Sequence, residues 1–195
     1  MSDKRWIPET YKCSFKNIVG FCTQPGWLYP LKFIEAPPGK VLEVGCGSGK
    51  WSALFALIGF QVTCTDTDPM MLQQVRTNFP NIKMRYKVAT LPYISDQFAE
   101  QFDVVFNEGT IEHFLNNTAR LRAIEDMIKC LRPGGVFFLI VPYYPHSNPP
   151  EDEFKYTPDI LKAEVAVFIT SRPPDTWVLK EVDGDRHFLG VIIKK

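Results

Sequence analysis

The sequence carries no excess of charge of either sign. Its 22 basic and 22 acidic residues give a formal net charge of +0, and the sequence pI is about 6.8. Proteins that bind nucleic acid through phosphate contacts leave a basic footprint in their composition. Because the chain as a whole lacks that footprint, nucleic acid is disfavoured as a substrate.

Long apolar runs and cysteine pairs are also missing. No run approaches the roughly 18 apolar residues of a membrane span, and the N-terminus has no apolar segment of the secretory type. No Cys-x-x-Cys pair is present, which predicts free thiols rather than a disulfide framework or a zinc site. These absences predict a cytoplasmic protein without a membrane span. The five cysteines are Cys13, Cys22, Cys46, Cys64 and Cys130.

Length and composition predict a single domain over residues 1–195. The chain is 45% hydrophobic and 13% aromatic, which suffices for one well-buried core but not for two. Residues 1–38 mix aromatics, prolines and cysteines without a sustained period, and we interpret them as an N-terminal edge segment or a lid. Residues 39–142 carry the recognisable motifs. Residues 143–195 are predicted to supply a substrate loop, a helix and a C-terminal hairpin.

What the sequence does contain is a glycine loop after a short apolar run. Residues 41–44 are followed by glycines at alternate positions 45, 47 and 49, a pattern typical of a buried strand that enters a tight ligand-binding loop. A second run, 62–65, ends at Asp66, the position from which a doubly wound sheet binds ribose hydroxyls. A dinucleotide fingerprint would need a glycine at position 50, which is Lys50.

The spacing Glu-x-Gly-x-Gly-x-Gly from Glu43 resembles motif I of the class I S-adenosylmethionine-dependent methyltransferases. Three further segments match that family in order, at 65–72, 102–106 and 131–141. The resemblance covers residues 39–142 and implies S-adenosylmethionine as cofactor.

The pattern of runs predicts an α/β fold. Strands are predicted near 41–45, 61–65, 83–87, 102–107, 135–141, 176–182 and 187–194, and helices near 50–58, 69–78, 117–130 and 157–170. Their alternation indicates a mainly parallel, doubly wound sheet covered on both faces. The last two strands are separated only by residues 183–185, too few for a crossover, so they form an antiparallel hairpin. The family fold implied is seven-stranded, in the order 3-2-1-4-5-7-6 with the last strand antiparallel.

The resemblance also implies a set of cofactor contacts. Glu43 is expected to support the glycine loop or the cofactor's amino acid portion, and Asp66 to accept hydrogen bonds from ribose, although it could instead cap the next helix. The family's acidic residue for adenine has no counterpart at 86–93, which leaves the backbone at 89–91 or Asp96 for that contact. The predicted cofactor-binding residues are Glu43, Gly45, Cys46, Gly47, Ser48, Gly49, Asp66, Thr67, Ala89, Thr90, Leu91, Asn107, Glu108 and Gly109.

The segment 107–114 carries the candidate catalytic residue, His113. It lacks the Asn-Pro-Pro-Tyr type motif of amino methyltransferases, and it looks like the Glu-x-x-Glu-His segment of ubiquinone-pathway O-methyltransferases and small-RNA 3′-end methyltransferases. The first glutamate of that segment falls at Gly109 here. Three roles stay open for His113: a general base, a metal ligand with Glu112 and His146, or a structural residue. We assign no metal ligand.

The function predicted is methyl transfer from S-adenosylmethionine to a small-molecule acceptor, with oxygen weakly favoured. Two alternatives are an RNA or protein methyltransferase and a catalytically silent S-adenosylmethionine-binding protein. A nicotinamide-dependent oxidoreductase is disfavoured by Lys50 and by the terminal hairpin. The predicted partner is a small molecule, and the predicted oligomeric state is a monomer or homodimer.

Overall fold

The computed structural model describes residues 12–22, 28–34, 39–168, 175–180 and 187–194. Within these ranges, no helix combines the length and the apolar character that crossing a membrane would require. The residues between the ranges include part of the predicted N-terminal lid, and the interpretation of that part lies outside the described residues.

One sheet forms the centre of the molecule. Five strands run parallel in the order β3-β2-β1-β4-β5, β7 pairs antiparallel with β5, and β6 pairs antiparallel with β7 at the far edge. The prediction of an α/β Rossmann-like fold with a mainly parallel sheet is confirmed. The strands are β1 Lys40–Val44, β2 Gln61–Asp66, β3 Arg85–Val88, β4 Phe102–Glu108, β5 Leu131–Tyr143, β6 Asp175–Lys180 and β7 His187–Lys194.

Helices connect the strands and begin where the sequence supplies caps. Asp68, Asn116 and Thr157 each accept a hydrogen bond from a backbone N–H of the first turn that follows them, and a proline follows both Asp68 and Thr157 at the first helical position. The helices are α1 Phe15–Cys22, α2 Lys50–Leu57, α3 Pro69–Asn78, α4 Ser95–Phe98, α5 Asn117–Lys129 and α6 Pro158–Ala166, with 3-10 turns at Tyr29–Phe33 and Ile111–His113.

Two apolar layers cover the faces of the sheet. Val41, Val62 and Phe106 face one layer with α2 and α3, whereas Leu42 and Val105 face the other with α5 and α6. This alternation follows from the period of two along a strand. Fully burying such a side chain contributes roughly 1.5–3 kcal/mol, so the two layers fix the sheet firmly. The loops at the carboxyl ends of the strands are thereby held on a rigid base.

Several elements differ from the sequence prediction. Strand β5 begins at Leu131, four residues before the predicted start at 135, because the turn sequence at 133–135 stays in the sheet with a register shift against β4. Helix α6 ends at Ala166 rather than near 170. Helix α1 lies in the predicted N-terminal edge segment, where no helix bounds were predicted, and the single turn of α4 was not predicted.

Candidate active site

The glycine loop leaves β1 in a conformation that requires glycine. Gly45 has φ +68 and Gly49 has φ +76, both in the left-handed region. A Cβ at Gly45 would collide with the side chain of Thr110, and one at Gly49 with that of Val75. The loop therefore packs directly on the segments that follow β4 and on α3, with bare backbone between them.

Asp66 ties this loop to the end of β2. Its Oδ2 accepts a hydrogen bond from the Gly47 N–H at 3.2 Å, and its Oδ1 accepts one from the Asp68 N–H at 3.1 Å. Burial is the largest cause raising the pKa of this carboxyl above its ordinary value. Each carboxylate oxygen has a further lone pair, so Asp66 retains capacity to accept hydrogen bonds from a ligand's hydroxyls.

The helix-cap alternative for Asp66 is wrong. The N-cap of α3 is Asp68, whose Oδ1 accepts a hydrogen bond from the Met70 N–H at 2.8 Å. The two carboxylates of this segment therefore divide their tasks: Asp68 starts the helix, and Asp66 faces the glycine loop.

Glu43 lies beneath the loop, inside the core. Only 4% of its surface is exposed, and its Oε2 accepts a hydrogen bond from the Ser52 hydroxyl on α2. Burial, together with the nearby charge of Glu108, raises the pKa of Glu43 to about 8, against the opposing hydrogen bond from Ser52. Glu43 thus joins β1 to the first turns of α2.

Glu108, at the end of β4, meets the start of α2. Its Oε2 accepts a hydrogen bond from the indole N–H of Trp51, and its Oε1 lies 3.8 Å from Nζ of Lys50. The sequence prediction included Glu108 but missed Trp51. The two residues are 57 positions apart, and only the crossing of α2 over the end of β4 brings them together. The pair places a partly buried carboxylate beside the glycine loop.

The 3-10 turn after β4 holds His113 between two acidic residues. Its Nδ1 lies 3.3 Å from the backbone oxygen of Asp152 and 3.8 Å from Asp152 Oδ2, and its Nε2 lies 4.0 Å from Oε1 of the buried Glu112. The Phe154 N–H donates to the Glu112 backbone oxygen at 2.8 Å. The loops after β4 and β5 are therefore locked together around the imidazole, which remains 25% exposed.

His146 does not join this cluster as a buried ligand, because its side chain is exposed. Across the described ranges, no group of three or more His, Cys, Asp or Glu side chains is arranged to hold a metal ion.

A buried ion pair supports the loops around His113. Arg120 of α5 donates from Nε to Glu164 Oε1 of α6 at 2.9 Å, and from its Nη1 to the backbone oxygens of Phe114 and Leu115. The Tyr156 hydroxyl donates to Glu164 Oε2 at 3.0 Å, and burial raises the pKa of that phenol. Removing one partner would leave the other charge buried and uncompensated, a change that costs roughly 3–5 kcal/mol.

The other predicted residues lie around the same strand ends. The Ala89 N–H donates to the Asp66 backbone oxygen at 3.1 Å, which brings the segment 89–91 alongside Asp66. Asn107 is fully buried, and its Nδ2 donates to the Val44 backbone oxygen at 2.8 Å. The structure thus gathers the predicted residues at the carboxyl ends of the strands. The predicted cofactor-binding residues not described individually above are Cys46, Ser48, Thr67, Thr90, Leu91 and Gly109.

Comparison with known proteins identifies what this chain is similar to. A family model described as a methyltransferase domain matches residues 41–135. The ubiquinone biosynthesis O-methyltransferase of Xanthomonas axonopodis pv. citri (strain 306) is 32% identical over 108 residues, which cover 54% of this chain and 44% of that protein. The match therefore spans less than half the length of this curated relative.

Solved structures share the fold. The PH0226 protein of Pyrococcus horikoshii superposes with a TM-score of 0.70 at 21% identity, covering 98% of this chain and 97% of that one. The 1,6-didemethyltoxoflavin-N1-methyltransferase of Burkholderia thailandensis, solved with S-adenosylhomocysteine bound, has a TM-score of 0.66 at 20% identity, covering 86% and 74%.

Proposed function

Residues 41–135 form a class I S-adenosylmethionine-dependent methyltransferase domain, and from this premise we propose that the chain transfers a methyl group to a small-molecule acceptor. We further propose oxygen as the acceptor atom. The observation that carries the proposal is the contact between the glycine loop and Asp66. There the backbone of Gly47 lies beside a carboxylate that can accept further hydrogen bonds.

The residues at this junction fit S-adenosylmethionine. Gly47 has positive φ and no side chain, so a ligand can approach the loop backbone there closely. Asp66 would accept hydrogen bonds from the ribose diol, and the acidic Glu108 suits the cofactor's cationic amino group. Glu43 has a supporting role, because its hydrogen bond to Ser52 fixes α2, the helix that follows the loop.

The chemistry asks little of the side chains. When bound, S-adenosylmethionine supplies a methyl group already activated by its positively charged sulfur. The chain must then hold an acceptor atom about 3 Å from that carbon and in line with it, in a pocket poor in water. We propose that His113 takes the proton from the acceptor hydroxyl, with Asp152 and Glu112 orienting the ring.

Two observations favour a small hydroxyl acceptor. The relative named above is an O-methyltransferase of ubiquinone biosynthesis. An imidazole held next to two carboxylates is also the group expected beside a hydroxyl that must lose a proton near neutral pH. An acceptor nitrogen of an amine needs less basic assistance.

The N-terminal segment is proposed as a lid or edge over this site. Ile18 of α1 is buried in the core, and Cys13 packs against the same group of apolar residues. Burial raises the pKa of the Cys13 thiol, against a smaller lowering by Lys50. We propose that residues 1–38, 39–142 and 143–195 divide one domain into lid, cofactor-binding core and substrate-binding part.

The acceptor class is tested by following labelled methyl groups from S-adenosylmethionine into a panel of phenols, carboxylates, amines and RNA. We expect transfer to a phenol or another hydroxyl compound. Transfer to RNA alone would replace the proposal by the nucleic-acid alternative. Cofactor binding without transfer to any member of the panel, or to added protein, would favour the catalytically silent alternative.

Replacement of Asp66 by alanine is expected to weaken binding of S-adenosylhomocysteine by roughly 10- to 150-fold, since a charge-assisted hydrogen bond contributes about 1.5–3 kcal/mol. The backbone N–H groups of Gly47 and Asp68 would also lose their acceptor, so the melting temperature without ligand should fall. Isothermal titration calorimetry and thermal unfolding measure the two effects.

Asp68→Ala is the matched control for this prediction. It removes the N-cap of α3, a loss of roughly 1 kcal/mol of stability, and leaves Asp66 in place. Its affinity for S-adenosylhomocysteine should stay within a few-fold of wild type. Equal affinities of the two variants would show that Asp66 does not contact the ligand.

A further inference from the structure

The sheet has a second concave surface, at its β3 end. A groove of about 1000 Å³ is lined by residues from the amino-terminal parts of β1 and β2, from β3 and from the turn of α4. We call it the basic groove, because Lys40, Lys83, Arg85 and Lys87 line it and no Asp or Glu does. In a chain whose net charge is +0, this is a local concentration of positive charge.

The basic groove is separate from the site described above. Its lining contains neither the residues of the glycine loop nor Asp66 or His113. It reaches Gln61 and Phe102, the first residues of β2 and β4, whereas the cofactor site lies at the opposite, carboxyl ends of the strands. Methyl transfer therefore leaves the basic groove without a role.

The cations on β3 and just before it are regularly spaced. Lys83, Arg85 and Lys87 are exposed, while Met84 and Tyr86 between them are half-buried. This period of two places the three cations on one face of an extended chain, at intervals of about 6.7 Å. Within the described ranges, none of the three side chains forms a salt bridge.

Strand β3 is also the edge of the sheet. It pairs in parallel with β2, in the register Thr63 to Arg85 through Asp66 to Val88, and it stands first in the strand order. No strand in the described part of the chain pairs with its outer side, so that side presents unpaired backbone N–H and C=O groups. Because α4 is a single turn, Ser95–Phe98, the adjoining sheet face also stays open.

We propose that β3 is a docking edge for an acidic, extended segment of a partner protein, which adds beside β3 and sets carboxylates against Lys83, Arg85 and Lys87. Backbone hydrogen bonds to the open edge supply affinity in this mode of recognition, and alternate side chains supply specificity. Opposite charges across neighbouring strands add a favourable contribution. The proposal goes beyond methyl transfer and holds whatever the acceptor is.

A single-stranded nucleic acid is the competing occupant, since phosphates would also be attracted to regularly spaced cations. The open edge of β3 favours a peptide. A second polypeptide strand can pair with the backbone N–H and C=O groups of β3 in register, and a nucleic acid cannot. Lysine on an edge strand can also serve only to discourage pairing with other chains. The experiment separates these outcomes.

The probe is a fluorescent peptide of sequence TEVEVET, with acids at alternate positions, measured by fluorescence anisotropy against the full chain. The controls are the same residues reordered as TEEEVVT, the alternating peptide N-methylated along its backbone, and an oligouridylate of equal charge. We expect the alternating peptide to bind at least tenfold more tightly than each control. It should also slow amide hydrogen exchange at residues 85–88.

Charge reversal locates the binding. Arg85→Glu with Lys87→Glu, or the milder Lys83→Glu with Lys87→Glu, should weaken binding of the alternating peptide at least tenfold. Arg122→Glu with Lys162→Glu makes the same change of charge at exposed helix positions and should leave it unchanged. Binding that is indifferent to acid spacing, N-methylation or these variants would overturn the proposal, as would tighter binding of the oligouridylate. No binding at all would leave the cations as protection of an edge strand.

Discussion

Replacing His113 by alanine is expected to lower turnover by about 10²- to 10⁴-fold, the usual worth of a general base, while the Kd of S-adenosylhomocysteine stays within a few-fold of wild type. The reason is position: His113 stands where the loops after β4 and β5 meet, with Asp152 on one side of the ring and Glu112 on the other. Steady-state kinetics with the acceptor found in the panel, together with calorimetry, measures both quantities.

The other roles of His113 predict different results. A metal ligand would make wild-type activity sensitive to a chelator, with recovery on addition of Mg²⁺ or Mn²⁺. His146→Ala would then lose activity as well, whereas it should match wild type if His113 is a base. A His113→Ala variant that turns over normally, in a chelator-insensitive enzyme, would make the histidine structural.

Glu43→Gln is expected to remove a large pH dependence of folding stability. The carboxyl of Glu43 has a pKa of about 8 in the folded chain against an ordinary value of 4.5. Between those values the unfolded chain is ionised and the folded chain is protonated, so stability falls as pH rises through this window. At about 1.4 kcal/mol for each unit, the fall over this window reaches roughly 5 kcal/mol, an upper limit for one group.

Urea unfolding of both proteins from pH 4.5 to 9 measures this effect. The two should be close in stability at the acid end, because the amide accepts the same hydrogen bond from Ser52, and the variant should be the more stable above pH 8. Glu125→Gln, on the exposed face of α5, is the control and should leave the wild-type slope unchanged. Parallel pH profiles for Glu43→Gln and wild type would show that Glu43 is ionised in the folded chain.

Local sequence was enough to predict the glycine loop after β1 and the carboxylate at the end of β2. Glycines at alternate positions are typical of a loop with positive φ. The strand that ends at Asp66 could be recognised from its own short apolar run. The sequence also supplied both candidates, Asp66 and Asp68, and the structure decided between cap and loop contact. The strand order was predicted from the family resemblance and not from local sequence, because strand order depends on contacts between distant parts of the chain.

The contacts around Glu108 and His113 could not be predicted in the same way, because they join distant parts of the chain. Arg120 and Glu164 are 44 positions apart, and each alone reads as an ordinary helix charge. Trp51 reads as a core residue until α2 brings it to Glu108. The single turn of α4 could not be predicted either, because the apolar residues between β3 and β4 have no helical spacing and Pro92 interrupts them.

The most direct test of the cofactor assignment is thermal unfolding with S-adenosylmethionine, its demethylated product and NAD, each at a hundredfold excess over its expected dissociation constant. Linkage then gives about 2.7 kcal/mol for a ligand that binds the folded chain, a rise of roughly 5 to 10 °C for a protein of this size. We expect this rise with both sulfur-containing ligands and none with NAD, because the glycine loop has Lys50 where a pyrophosphate site needs glycine. A clear rise with NAD and none with the sulfur-containing ligands would contradict the assignment.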